Sequence, residues 1–218
     1  MSQETTLISG HFRQDGFVLI EKFLSSEEVD DLDRQLERFI RVLVPHVAEG
    51  HAFFESSGAI KHISCPEIYD DYFKQFMTRA DTLRIVAACL GQPVKATASE
   101  VFYKSAHVGS AAPYHQDNAY IHLAPAEGAV VWIALDDVDV KNGCMHVLDR
   151  GHQPGPQNHF DRRDWQICDT NIEELHRSNH PVVAIPLRRG GCLFFKGLLP
   201  HGTPANRSNR RRRALQYH

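Results

Sequence analysis

Apolar and polar positions recur with two different periods along this chain, and the change of period divides it. Near the start, Gly16-Phe-Val-Leu-Ile20 reads as a short strand. A helical pattern follows: Ser25 and Glu28 make a capping box, and Val29, Leu32, Leu36, Phe39, Ile40 and Leu43 recur at intervals of three and four until Pro45. A second helical stretch, Tyr69 to Leu90, carries Phe73, Phe76, Leu83 and Val86 and stops at Gly91-Gln-Pro93. Beyond Pro93 the runs become short and β-rich: Ser99 to Tyr103, Ala129 to Leu135, Met145 to Leu148, Val182 to Leu187, Cys192 to Phe195 and Arg213 to Tyr217. Glycines and prolines separate them.

Helices first and many strands afterwards predict a mainly β fold with flanking α-helices. Strands of this number and spacing fit a double-stranded β-helix, or jelly roll, over residues 93–218, packed by a helix-rich part over residues 1–92, in a single domain spanning 1–218. Gly155 to His180 is long, polar and weakly periodic, and is expected to be a lid or binding loop, with His51 to His62 as a second wall.

Charge and cysteine content narrow the function. A net charge of -3 argues against nucleic-acid binding, and no apolar run approaches the roughly 20 residues that span a bilayer. The first residues, MSQETTLISGHFRQDG, lack the basic and apolar regions of a secretory signal. Cys65, Cys89, Cys144, Cys168 and Cys192 are widely spaced and odd in number, which favours reduced thiols in a cytoplasmic compartment.

The candidate chemistry sits in His115-Gln116-Asp117. On a strand, residues i and i+2 share a face, so His115 and Asp117 can present an imidazole and a carboxylate together, with Gln116 turned away. A distant histidine such as His201 would complete a 2-His-1-carboxylate triad, which holds iron and leaves positions open. A second such tripeptide, His159-Phe160-Asp161, lies in polar sequence and reads as a solvated loop. Arg207 and Arg210 to Arg213 form a basic run that merges into the strand-like Ala214-Leu-Gln-Tyr217. An arginine on the inner face of that strand could clamp a dicarboxylate bidentately.

With these residues in place, the chain resembles the phytanoyl-CoA dioxygenase family of Fe(II)/2-oxoglutarate-dependent oxygenases. FRQDGFVLIEKFLS, YHQDNAYIHL, VVWIALDDVDVKNGCMHVLDRGH and LPHGTPANRSNRRRRALQYH carry the likeness. It implies His115, Asp117 and His201 as Fe(II) ligands and Arg212, Thr203, Lys104 and Trp132 as the 2-oxoglutarate pocket. Arg211 and Arg213, on the opposite strand face, would be solvated or paired with acids. The implied activity is a hydroxylation of a small molecule with O2, releasing succinate and CO2; the aromatic, His and Arg residues of His51 to His62 and Gly155 to His180 suit a small polar or anionic substrate better than a bare hydrocarbon. Two alternatives remain open: a cupin-like metalloenzyme that does not use 2-oxoglutarate, and a catalytically silent sensor or scaffold. Where the family usually reads Pro-Gly-Ser-His, this chain has Asp149-Arg-Gly-His152, keeping the turn glycine and the histidine.

Overall fold

A computed structural model describes residues 3–121, 125–160, 169–170 and 180–218. In chain order the elements are α1 (Gln3–Asp15), β1 (Phe17–Ile20), α2 (Ser26–Val42), β2 (Ala52–Phe54), β3 (Ile60–Ser64), α3 (Asp71–Met77) and α4 (Ala80–Leu90). The second part contains β4 (Ser99–Lys104), β5 (Ala112–His115), α5 (Asn118–Ile121), β6 (Ala129–Ala134), β7 (Met145–Leu148), β8 (His159–Phe160) and β9 (Asp169–Thr170). It closes with β10 (Val182–Ile185), β11 (Cys192–Lys196), β12 (His201–Thr203) and β13 (Arg212–Tyr217).

Two antiparallel sheets face each other. The larger has the order β1-β11-β6-β13-β4-β3-β2, and the smaller β10-β7-β12-β5. This is the expected jelly roll. Strand β6 shows why its sequence is apolar throughout: both of its faces are covered. Val131 and Ile133 join the cluster under the helices, while Val130, Trp132 and Ala134 join the one between the sheets. The face of α2 that packs on the first cluster consists of Val29, Leu32, Leu36 and Phe39, all buried. Each contributes on the order of 1.5–3 kcal/mol by leaving water.

Three local readings are corrected. Helix α1 was not expected, because its polar-rich sequence shows little periodicity; buried Phe12 and Ser9 anchor it. The stretch Tyr69 to Leu90 is two helices, since α3 ends at Thr78 and α4 starts after Arg79. The wall expected around residues 51–62 is the hairpin β2–β3, which prolongs the large sheet beyond β4. Of the Gly155–His180 loop, 161–168 and 171–179 lie outside the described residues, Asp161 and Cys168 among them. The other four cysteines are free thiols.

Arg79 joins the helical layer together by pairing with Glu28 at 2.7 Å and Asp81 at 2.8 Å. The Arg79 contact holds the Asp81 carboxyl below its ordinary 3.8, and the capping-box backbone bond at Ser25 does the same for Glu28 below 4.5. Depressed folded-state values mean a stabilisation that is complete above the unfolded values and fades as pH falls through them. Arg79→Met is therefore expected to cost up to about 1 kcal/mol at neutral pH, given the solvent screening, and less in acid. Urea titrations at neutral and at acid pH check this, and an equal loss at both would refute it.

The turn after β7 departs from expectation in a specific way. The left-handed residue is Arg150 (φ 56), and the neighbouring glycine is not left-handed. Gly151 is needed for a different reason: a Cβ there would lie 2.7 Å from the Leu148 Cβ and 3.0 Å from the Pro200 Cδ.

Candidate active site

Strands β5 and β12 place the two histidines. His115 ends β5, His201 begins β12, and the two residues are direct antiparallel partners, with ring centroids 4.4 Å apart. Asp117 lies just past β5, at the turn into α5, so the HxD pair is not on one strand face as the i, i+2 argument supposed. The turn reaches the same outcome. Asp117 Oδ1 is 3.1 Å from His115 Nε2 and 3.5 Å from His201 Nε2, and the three ligand atoms all lie within 4.8 Å of one another.

Backbone carbonyls fix both rings. His115 Nδ1 donates to Pro113 O at 2.8 Å, and His201 Nδ1 donates to Leu199 O at 3.0 Å. Each Nε2 lone pair is thereby turned toward the cluster, as metal-ligating histidines require. Burial pushes His201 down to about 4, which keeps it neutral. Burial would also lower His115, but the Asp117 contact outweighs it and raises the value. For Asp117 itself burial opposes ionisation, yet His201 and His115 hold it well below the usual carboxylate range. A buried carboxylate and two oriented imidazoles converge on one point, so the residues present fit a divalent metal.

The four remaining expected residues line the same cavity of about 270 Å³. Arg212 and Lys104 are direct partners across β13 and β4, both buried. Arg212 Nε and Nη2 donate to Gly143 O at 3.0 and 2.7 Å, and its guanidinium lies 5.4 Å from the Trp132 ring centroid. Lys104 Nζ donates to Ser110 O. Burial pushes Arg212 down to about 10 and Lys104 well below its ordinary value. Among the described residues, neither cation has a carboxylate at ion-pair distance. Two buried, adjacent, unpaired cations are costly and call for an anion. Thr203 closes β12 beside them, also buried. Gly143 shows why the Asn-Gly-Cys-Met stretch reads as it does: its φ is 87, and a Cβ would strike Pro204 O at 2.5 Å.

Arg210, Arg211 and Arg213 of the basic run pair with acids. Arg210 pairs with Asp139, and the exposed Arg211 with Asp136 and Glu37. Arg213 is fully buried against Asp136, Asp33 and Glu37, so of the two expected fates it has the second.

Two residues support the cluster, and one of them, His159, is corrected from the sequence reading. Gln116 is not idle: its amide donates to Gly155 O at 3.0 Å and Leu198 O at 2.7 Å, and its Oε1 accepts from Gln157 N at 2.8 Å. His159, expected in a solvated loop, sits in β8, and its Nε2 accepts the backbone N–H of Gln116 at 2.9 Å. The imidazole thus buttresses the residue between two ligands, a role no local pattern announces. His159→Ala is expected to weaken Mn(II) binding by about tenfold, within the range for groups that orient ligands. Calorimetric titration measures it, and an unchanged affinity would show that β8 is not needed for the ligand geometry.

With this geometry established, comparisons with known proteins become decisive. The model of the family described as "Phytanoyl-CoA dioxygenase (PhyH)" matches residues 12–214. The chain belongs to the phytanoyl-CoA dioxygenase family. Similar proteins include the peroxisomal phytanoyl-CoA dioxygenase of Bos taurus, 24% identical over 224 residues, covering 95% of this chain and 66% of that protein. The chain thus spans just under two thirds of the bovine relative's length. The phytanoyl-CoA dioxygenase of Arabidopsis thaliana is 24% identical over 245 residues, covering 95% of this chain and 85% of that one. Among solved structures, EctD from S. alaskensis with 2-oxoglutarate and 5-hydroxyectoine has TM-score 0.81 at 17% identity, covering 100% of this chain and 75% of that one. The epimerase SnoN in complex with Fe3+, alpha ketoglutarate and nogalamycin RO has TM-score 0.80 at 19% identity, covering 98% and 82%. These two likenesses establish the fold.

Proposed function

We propose that this phytanoyl-CoA dioxygenase family member hydroxylates a small molecule, using Fe(II), 2-oxoglutarate and O2 and releasing succinate and CO2. One observation carries the reading: a buried His-Asp-His cluster shares a cavity with two buried cations that lack an acid among the described residues. Fe(II) bound by His115, Asp117 and His201 would supply oxygen activation, with open positions for a bidentate cosubstrate. Arg212 offers the paired donors that a carboxylate accepts bidentately, and Thr203 and Lys104 stand ready to add hydrogen bonds to it. Trp132 floors that end of the cavity and excludes water from the ion pair. The SnoN structure, which holds Fe3+ and alpha ketoglutarate, and the EctD structure, which holds 2-oxoglutarate, support this assignment. The buried cations argue against the cupin-like alternative, which has no use for them.

Free thiols at Cys65, Cys89, Cys144 and Cys192 support a cytoplasmic location, although the bovine relative is named peroxisomal. Among the described residues no helix is long and apolar enough to cross a membrane.

The test is anaerobic addition of Fe(II) and then 2-oxoglutarate. A charge-transfer band near ~500 nm is expected, because a facial triad leaves adjacent positions for the chelating cosubstrate. His115→Ala abolishes it. Iron binding without the band would favour the cupin-like enzyme, and absence of iron binding would favour the silent scaffold.

A further inference from the structure

The floor of the cavity is polar at both ends, and the two ends differ in sign. On β4, alternate residues face it: Lys104, Phe102 and Glu100 all line the cavity. Their neighbours follow the register. Lys104 pairs with Arg212, Phe102 with His62 and Ala214, and Glu100 with Ser64 and Gln216. The cationic row and the Glu100 row are four residues apart, roughly 13 Å along the strand. The Glu100 row is the one beside the metal cluster: Gln216 Nε2 lies 3.3 Å from Glu100 Oε2 and 3.4 Å from Asp117 Oδ2.

Glu100 is a carboxylate short of donors. The groups around it are Gln216 Nε2 at 3.3 Å, His62 Nε2 at 3.4 Å and His218 Nε2 at 3.6 Å. Charge-assisted bonds to a carboxylate run at about 2.7–2.9 Å, so none of the three is a full partner. His62 cannot swing closer, because it is stacked between Phe53 and Phe102 with centroids 5.3 and 4.7 Å away. Its Nε2 and the His218 Nδ1 make no hydrogen bond. Glu100 keeps 24% of its side chain exposed toward the cavity, and a partly buried carboxylate with only long contacts is a place for a ligand's donor.

We infer that the substrate presents a protonated amine to Glu100, which makes Glu100 the residue that sets substrate charge. This rests on the oxygenase reading, in which the cosubstrate occupies the Arg212 end. Among the described residues the acids that line the cavity, Glu100 and Asp117, lie at the end left for the substrate, so the inferred amine differs from the polar or anionic substrate that loop composition favours. A cavity of about 270 Å³ that also holds the cosubstrate suits a molecule of amino-acid size. Because Gln216 joins Glu100 to Asp117, an amine seated on Glu100 brings a nearby C–H of its own molecule to the metal side.

The experiment titrates the anaerobic Fe(II)·2-oxoglutarate protein with n-pentylammonium, pentanoate and 1-pentanol, reading both calorimetric heat and the visible band. The expected result is saturable binding of n-pentylammonium at least about tenfold tighter than the other two, the size of one charged hydrogen bond. Glu100→Gln removes that preference and keeps the band. Equal affinities, a preference for pentanoate, or no saturable heat from n-pentylammonium would each overturn the inference. The wild-type ranking decides the matter even if the variant misfolds. A missing band in the wild type is a separate failure, that of the oxygenase reading, and the calorimetric ranking still reports on Glu100.

Discussion

Arg212→Ala is expected to raise the KM for 2-oxoglutarate by about two to three orders of magnitude while metal affinity stays within about twofold. Truncating one side of a buried, hydrogen-bonded charge pair costs about 2–5 kcal/mol, which corresponds to factors from about 30 to a few thousand. Arg212 Nε and Nη2 already converge on Gly143 O, and this fixes the plane of the guanidinium before any ligand arrives. Little ordering cost then remains on binding, which favours the upper part of that range. Arg212→Lys recovers only part of the loss, because an ammonium cannot reproduce the planar fork. Steady-state kinetics with Mn(II) calorimetry on the same samples separate this from unfolding. If turnover persists with an unchanged KM, the cosubstrate does not bind where the two cations lie.

Arg213→Leu acts on the other face of the same strand and tests a different property. Its guanidinium is fully buried, 3.0 Å from Asp136, 2.9 Å from Asp33 and 3.3 Å from Glu37, and so ties α2 to β13. Removing it leaves the half-buried Asp33 and Asp136 facing each other with only the more exposed Arg189 (3.1 Å from Asp33) and Arg211 (3.5 Å from Asp136) as cations. Breaking such a pair costs about 3–5 kcal/mol, or a fall in Tm of about 6–20 °C for a domain of this size. Arg211→Leu, at an exposed neighbour, is expected to stay within about 0.5 kcal/mol. Thermal unfolding of the two variants side by side checks the pair of values; similar small losses would mean that the acids relax into solvent.

The contrast between Arg212 and Arg213 also shows what could be read before the structure was known. Alternation along a strand separates the two arginines onto opposite faces, and the buried run of β6 marks a central strand. Both follow from side-chain periodicity alone, and so did the capping box of α2. The His-Asp-His set was legible in identity but not in local conformation, since Asp117 is presented by a turn. What stayed hidden depends on contacts distant in sequence. His159 reaches Gln116 across 43 positions, and Gln216 reaches Glu100 across 116. No window of local pattern contains both members of either pair. The carboxylate proposed to set substrate charge sits on β4, outside the loop segments whose composition favours a polar or anionic substrate.

The position of β13 bears on how the protein is made. It follows every other strand in sequence, yet it lies in the interior of the large sheet, between β6 and β4. On the ribosome, β4 and β6 must therefore wait with open edges until residues 212–217 emerge and slot between them. Exposed edges of that kind are where nascent chains pair wrongly. Arg212 arrives with the same strand, so the cationic end of the cavity and the closed sheet come into being together.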